Sequence, residues 1–148
     1  MKVKEVMTAD PVCCRLSDTA QEVAKVLRDE DIGSVPIVSQ DRKLEGIITD
    51  RDLCCTIVAE GLDPQTTPVN NYVTRNPVAC RADDDLEDCE KSMQKNQIRR
   101  MPVVDDQQRC IGMVAQADLV LREEPKKVQE TVAEISKPSH PERPPAAA

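Results

Sequence analysis

The fold of this chain is first indicated by residues 46–52, whose sequence is Gly46-Ile47-Ile48-Thr49-Asp50-Arg51-Asp52. An apolar run enters the stretch and a polar, helix-compatible run leaves it, which predicts a strand that turns directly into a helix. The first turn of a helix offers unpaired backbone N–H groups and the positive end of the helix dipole, so it favours an anion. Thr49 adds a hydroxyl there, and the carboxylate of Asp52 suits the two hydroxyls of a ribose. The same pattern is typical of an ordinary helix N-cap, and both interpretations stay open.

The stretch returns once, 66 positions later, together with its surroundings. Identical pairs at this spacing include Thr8 and Thr74, Pro11 and Pro77, Ile32 and Ile98, Gly46 and Gly112, and Asp52 and Asp118. Each copy is predicted to run strand, helix, strand, strand, helix. Because a unit of this size buries little apolar surface alone, we expect the two copies to pack on each other.

The predicted fold class is therefore α/β (α+β), with two βαββα repeats packed sheet to sheet about a pseudo-two-fold axis. The predicted divisions are a first repeat at residues 1–61, a linker at 62–71, a second repeat at 72–123, and a short helix with a mobile, Pro- and Ala-rich tail at 124–148. Within the repeats, we expect residues 12–14 to form a first strand, and Ser17 and Asp83 to begin the first helix of each copy.

The composition of the chain argues against several classes of function. The chain has 148 residues, a formal net charge of −7, one Tyr, and no Phe or Trp. Such an acidic chain is a poor partner for nucleic acid or an anionic membrane. It also lacks the aromatic platforms of single-strand binders. No apolar run reaches the length of a membrane span, so we expect a soluble, cytoplasmic protein. The seven Cys form neither a zinc pattern nor a disulfide framework, and most are predicted to be buried. The minority interpretation is a redox-sensitive thiol or an adventitious metal site.

An enzyme is the function that the sequence supports least. The single His is His140, in the predicted tail, and the body of the chain contains no Ser/His/Asp or Cys/His arrangement. The paired acids Asp50 and Asp52 point to different sides of a helix turn, and no metal site is predicted. A binding or structural role is expected instead.

The chain resembles a known family, the tandem cystathionine β-synthase (CBS) domain pair, or Bateman module. The resemblance covers about residues 6–122 and depends on the Pro-Val entry to each repeat and on residues 32–38 and 46–52. It implies a non-enzymatic regulatory module that binds an adenosine nucleotide such as AMP, ADP or ATP, or S-adenosylmethionine as a further candidate, in the cleft between the repeats. It also implies a homodimer formed through the helices and signalling by conformational or oligomeric change to an effector protein that the sequence does not identify.

Two ligand sites are implied by this resemblance. The first would use Thr49, Arg51, Asp52, Thr74, Ala79, Ile98, Arg99 and Arg100. The second would use Thr8, Cys13, Ile32, Gly33, Gly112 and Asp118. In the second repeat, Ala115 and Ala117 replace the expected hydroxyl and arginine, so we expect the first site to be competent and the second to be weak or empty. The alternative function is a structural or stress-associated dimer that binds no nucleotide and responds through its thiols.

Overall fold

The computed structural model describes residues 1–121 and 125–137. Its strands are β1 (Thr8–Ala9), β2 (Ser34–Val38), β3 (Leu44–Thr49), β4 (Thr74–Arg75), β5 (Cys80–Arg81), β6 (Arg100–Val104) and β7 (Cys110–Ala115). Its helices are α1 (Ala20–Asp29), α2 (Asp50–Leu53), α3 (Leu86–Asn96), α4 (Gln116–Val120) and α5 (Pro125–Ile135). Short 3-10 helices occupy Val3–Glu5 and Val69–Asn71, and a π-helical turn, Cys54–Val58, continues α2. No helix in these ranges is long and apolar enough to cross a membrane.

The strands form two sheets, one for each repeat, as the fold class predicts. One sheet has the order β2-β3-β4 and the other β1-β7-β6-β5. The hairpin loops of the two sheets meet, since Leu44 N donates to Gln108 O over 2.9 Å and Cys110 N donates to Arg42 O over 2.9 Å. The chain therefore has the predicted mixed α/β architecture of two repeats with pseudo-two-fold symmetry.

Each sheet takes its edge strand from the lead-in segment of the opposite repeat. β1 lies at the start of the first repeat but pairs with β7, with Thr8 opposite Met113. β4 lies at the start of the second repeat but pairs with β3, with Thr74 opposite Ile47. The two pairings are related by the 66-residue spacing, so the exchange of strands is itself a repeated feature.

The two hydrophobic cores follow the same exchange. Val3 and Val6, from the start of the chain, are buried among the side chains of the second repeat. Val69, from the segment predicted to be a linker, is completely buried in the core of the first repeat. The repeats are thus separate in sequence but interlocked in space.

The exchange explains Gly112, which the resemblance assigned to the second site, and its equivalent Gly46. Gly46 and Gly112 lie inside β3 and β7, opposite the exchanged strands. A Cβ atom on Gly46 would overlap Val73 and lie 2.7 Å from Thr74 O, while one on Gly112 would lie 2.5 Å from Met7 Sδ. Glycine is favoured at position 46 because another backbone passes close by, and at position 112 because the Met7 side chain does.

Three local predictions differ from the structure. The first strand of the first repeat is reduced to a single bridge between Cys14 and Ile37, although its equivalent, β5, is a short strand. Helix α1 is capped by Thr19 instead of Ser17, because Thr19 and Glu22 form a reciprocal capping box. Helix α3 begins after Asp85 instead of Asp83.

The predicted terminal helix is present as α5, which packs against α3 and α4. Ile135 places its side chain in the core of the second repeat. Residues 122–124 and 138–148, which include most of the predicted tail and His140, lie outside the described residues.

Candidate functional site

A cleft of about 350 Å³ opens between the repeats. Its apolar wall consists of Pro11, Val12, Ile32 and Met113. Val12 and Ile32 are each about two-fifths exposed, so they offer apolar surface to an occupant. A flat apolar surface of this kind suits a planar ring such as a purine.

Two polar groups in this cleft lack partners among the described residues. The Oγ atom of Ser34 is buried and makes no hydrogen bond. The guanidinium of Arg100 lies directly over Gly33, where a Cβ atom would come within 2.6 Å of Nη2. Within residues 1–121 and 125–137, Arg100 forms no salt bridge and no side-chain hydrogen bond. A buried hydroxyl and a half-buried cation without partners both favour a polar, anion-bearing ligand group.

Asp118 provides a carboxylate at the start of α4. Its Oδ2 accepts a hydrogen bond of 2.8 Å from Ala115 N. The equivalent Asp52 accepts 2.9 Å from Thr49 N and forms the full capping box, because Thr49 Oγ1 also accepts from Asp52 N over 3.0 Å. The capping interpretation of this motif is therefore confirmed. Each carboxylate still has an acceptor oxygen that its helix cap does not use, so the caps leave ligand binding open.

The structure brings together part of the predicted second set. Thr8, Ile32 and Asp118 line the cleft, and Gly33 lies beneath Arg100. Gly112 is buried in β7, where it accommodates the exchanged strand. Cys13 Sγ lies 3.3 Å from Pro11 O and 3.9 Å from Arg42 Nη2.

The residues of the predicted first site are brought together less closely than those of the second. Thr49 and Asp52 lie together, and Thr74 is on the strand beside β3. Arg51 and Ala79 are exposed, and Ile98 packs against the core of the second repeat.

The two arginines of the first predicted set lie near the start of α4. Arg100 was assigned to the first set but lines the cleft of the second. Arg99 also lies beside the start of α4, where its carbonyl accepts from Gln116 N over 2.8 Å. Arg100 therefore reaches the cleft from the start of β6.

Sequence reasoning missed Ser34, Asp10 and Glu30 as lining residues of the cleft. Asp10 has a left-handed backbone, φ 48°, as does its equivalent Asn76, φ 49°. A comparison of the two repeats position by position could have found all three residues, because each differs from its equivalent in charge or in hydrogen-bonding groups.

The thiols are mostly structural, as predicted. Cys14, Cys80, Cys89 and Cys110 are buried, while Cys54 and Cys55 are exposed. Burial raises the pKa of Cys14 to about 12, so this thiol stays protonated at neutral pH. Among the described residues, no group of three or more His, Cys, Asp or Glu side chains could hold a metal ion.

The unpartnered Ser34 hydroxyl gives a stability prediction. We expect Ser34→Ala to stabilise the ligand-free protein by about 1 kcal/mol, because it removes a buried group that lacks a hydrogen bond. Urea denaturation without added ligand measures the change. Ser39→Ala is the control, since the Ser39 hydroxyl accepts from Lys43 N over 3.2 Å and its loss should destabilise. A destabilised Ser34→Ala protein would contradict the prediction.

The sequence and the fold of this chain are both similar to those of known proteins. A family model described as CBS domain matches residues 3–58 and 69–123. The CBS domain-containing protein YhcV of Bacillus subtilis is 36% identical over 121 residues, which cover 82% of this chain and 84% of that protein.

The fold is also similar to that of several solved structures. The crystal structure of Hypoxic Response Protein I, with two coordinated zinc ions, matches with a TM-score of 0.76 and 29% identity, over 84% of this chain and 100% of that one. A curated relative of similar name, from Mycobacterium tuberculosis, is 31% identical over 116 residues, or 78% of this chain and 80% of the relative. The CBS domain pair of protein MJ0100, in complex with 5′-methylthioadenosine and S-adenosyl-L-methionine, matches with a TM-score of 0.74 and 29% identity, over 82% of this chain and 98% of that one.

Proposed function

The chain belongs to the CBS domain family, and from that premise we propose that it is a regulatory module whose inter-repeat cleft binds an adenosyl ligand. The observation that carries the proposal is the cleft itself, in which the Ser34 hydroxyl and the Arg100 guanidinium lack partners within the described residues. Asp118 supplies a carboxylate for a ribose, and Val12 and Ile32 supply an apolar surface for a base. The ligand complex of the MJ0100 domain pair supports this choice of ligand class.

The proposed mechanism is a population shift. Ile32 and Ser34 belong to the first repeat, whereas Arg100 and Asp118 belong to the second, so a ligand in the cleft contacts both. It stabilises the arrangement of the repeats in which these contacts form, and an effector protein or the dimer interface detects the change. We propose no catalytic role, and we propose that the protein acts in the cytoplasm.

The first site remains a second proposal. Thr49, Asp52 and Thr74 lie close enough in the fold to contribute to it, and Arg51 is an exposed cation beside them. Here the ligand would be a phosphorylated adenosine such as AMP, ADP or ATP, because Arg51 and the start of α2 both favour an anion.

Calorimetric titration with AMP, ADP, ATP and S-adenosylmethionine tests the function. It is carried out on the wild type, on Asp52→Ala and on Asp118→Ala, with circular dichroism to confirm that each variant is folded. We expect Asp118→Ala to reduce binding at the cleft by at least about tenfold, since it removes a charged hydrogen-bond acceptor. Loss of binding only in Asp52→Ala would instead assign the ligand to the first site. A folded wild type that binds none of the four ligands would overturn the proposal.

We also propose that the protein is a homodimer formed through its helices. Val58, Val120 and Leu121 are exposed by 72%, 52% and 83%, respectively, at the ends of the helical segments that follow β3 and β7. Exposed apolar side chains at the ends of both helical segments favour an interface there. We expect Leu121→Glu to shift sedimentation equilibrium towards the monomer at micromolar concentrations. Lys25→Glu, on the exposed side of α1, is the control, and an unchanged dimer in Leu121→Glu would exclude this interface.

A further inference from the structure

The two ligand sites of this duplicated chain differ in charge. At the 66-residue spacing, Asp10 and Glu30 of the described cleft correspond to Asn76 and Asn96. Asp10 and Asn76 have nearly the same φ, 48° and 49°, so the two side chains leave equivalent backbones. At position 10 a carboxylate therefore replaces an amide of almost the same shape, and at position 30 a longer side chain with a carboxylate replaces an asparagine.

The cleft also lacks groups that would hold a phosphate at the start of its helix. Ala115 and Ala117 stand where the first repeat has Thr49 and Arg51. Relative to the first site, the cleft has thus lost a hydroxyl and a guanidinium at the helix start and gained two carboxylates. Each of these changes makes the electrostatic potential less favourable to an anion.

The side chain of Arg100 brings a positive charge to this cleft. It is the cation that lines the cleft, against the carboxylates of Asp10, Glu30 and Asp118. Because no ion pair joins Arg100 to these acids in the described part of the chain, its guanidinium is available to one anionic group of a ligand. Ser34 lines the same cleft, and its buried hydroxyl has no hydrogen-bond partner among the described residues. The carboxylates remain for a positive group.

We propose that this cleft selects adenosine derivatives whose 5′ substituent carries a positive centre, such as a sulfonium or an ammonium, and discriminates against 5′-phosphates. The inference rests on the proposed function and adds the ligand's charge to it. A 5′-phosphate is close to doubly charged at neutral pH and would face three carboxylates and one guanidinium. A sulfonium ligand with an amino-acid group carries both signs, so its carboxylate can pair with Arg100 while its cations face Asp10 and Glu30.

Competing ligands measured at this cleft alone test the inference. The Asp52→Ala background disables the first site, and S-adenosylmethionine, 5′-methylthioadenosine and AMP are titrated by calorimetry. We expect S-adenosylmethionine to bind at least about tenfold more tightly than AMP, since each partly screened charge contact contributes a few-fold in affinity. The neutral 5′-methylthioadenosine should lie between them.

The decisive variant combines Asp10→Asn and Glu30→Asn, which gives the cleft the residues of the first site. We expect it to reduce the preference for S-adenosylmethionine over AMP by at least about fivefold, with little change for 5′-methylthioadenosine. Asp41→Asn combined with Glu60→Gln changes the net charge equally, away from the cleft, and should leave the preference intact. Both pairs of positions are exposed, so both variants should fold.

The outcomes separate the two proposals. If AMP binds this cleft as tightly as S-adenosylmethionine, or if the cleft variant and its control behave alike, the inference about charge is wrong and the cleft remains an adenosyl site. If none of the three ligands binds the folded Asp52→Ala protein, the proposed function of the cleft is wrong and the inference fails with it.

Discussion

Deleting residues 1–9 is expected to destabilise the protein by at least about 4 kcal/mol, because it removes Val3 and Val6 from the core of the second repeat. The deletion also removes β1 from its pairing with β7, and it removes the hydrogen bonds from Val3 N to Asp84 O, 3.0 Å, and from Lys4 N to Ala82 O, 2.9 Å. Urea denaturation gives the free energy of unfolding. A segment that only preceded the first repeat would make a much smaller contribution.

Point variants show whether the core or the exposed charges of this segment provide the stability. Val3→Ala should destabilise by about 2 kcal/mol, since it leaves a cavity in a fully buried site. Lys4→Ala breaks only an exposed ion pair with Asp83, with Nζ to Oδ1 at 2.6 Å, and should have little effect. Equal effects of the two variants, or an unaltered deletion protein, would contradict the packing of this segment into the second repeat.

Gly46→Ala is also expected to have a large effect and to destabilise the protein by about 3 kcal/mol. Its Cβ would lie 2.7 Å from the carbonyl oxygen of Thr74, which belongs to the backbone of the exchanged strand β4 and cannot move without breaking the strand pairing. Gly112→Ala should cost only about 1 kcal/mol, because its nearest obstacle is the end of the flexible Met7 side chain, 2.5 Å from the added atom.

Thermal and urea unfolding of both variants measure this difference. Gly61→Ala is the control for the loss of a glycine as such. Gly61 has φ 68° but no neighbouring atom within 4 Å of a Cβ, so its substitution should cost about 1 kcal/mol from the backbone alone. If Gly46→Ala and Gly112→Ala were equally stable, the close passage of β4 would not be what requires glycine at position 46.

The gapless 66-residue spacing made the fold predictable, since both copies carry the same periodic pattern. The exchange of β1 and β4 was not predictable, because a short lead-in strand has the same local pattern whichever sheet it joins. For the same reason, Val69 looked like part of a linker although it is completely buried. Only the long-range pairing distinguishes these cases.

The candidate site was partly predictable. Asp118, Ile32 and Thr8 followed from the family resemblance and line the cleft. The resemblance assigned Arg100 to the first set, and the structure also places it along this cleft, because its long side chain lies over Gly33, which has no Cβ atom in the way. The start of α1 was missed because Ser17 is a favourable cap residue, whereas the pairing of Thr19 with Glu22 is the more specific signal.

The exchanged strands bear on how such a molecule could arise from a single repeat. One repeat by itself lacks an edge strand and part of its core, and its own lead-in segment has no sheet to join. Two separate copies of such a half-length chain could complete each other reciprocally, in the manner of a domain-swapped pair. Joining them into one polypeptide makes that association intramolecular and independent of protein concentration. Gene duplication and fusion would then have preserved the reciprocal exchange, and would also have freed the two sites to diverge in sequence.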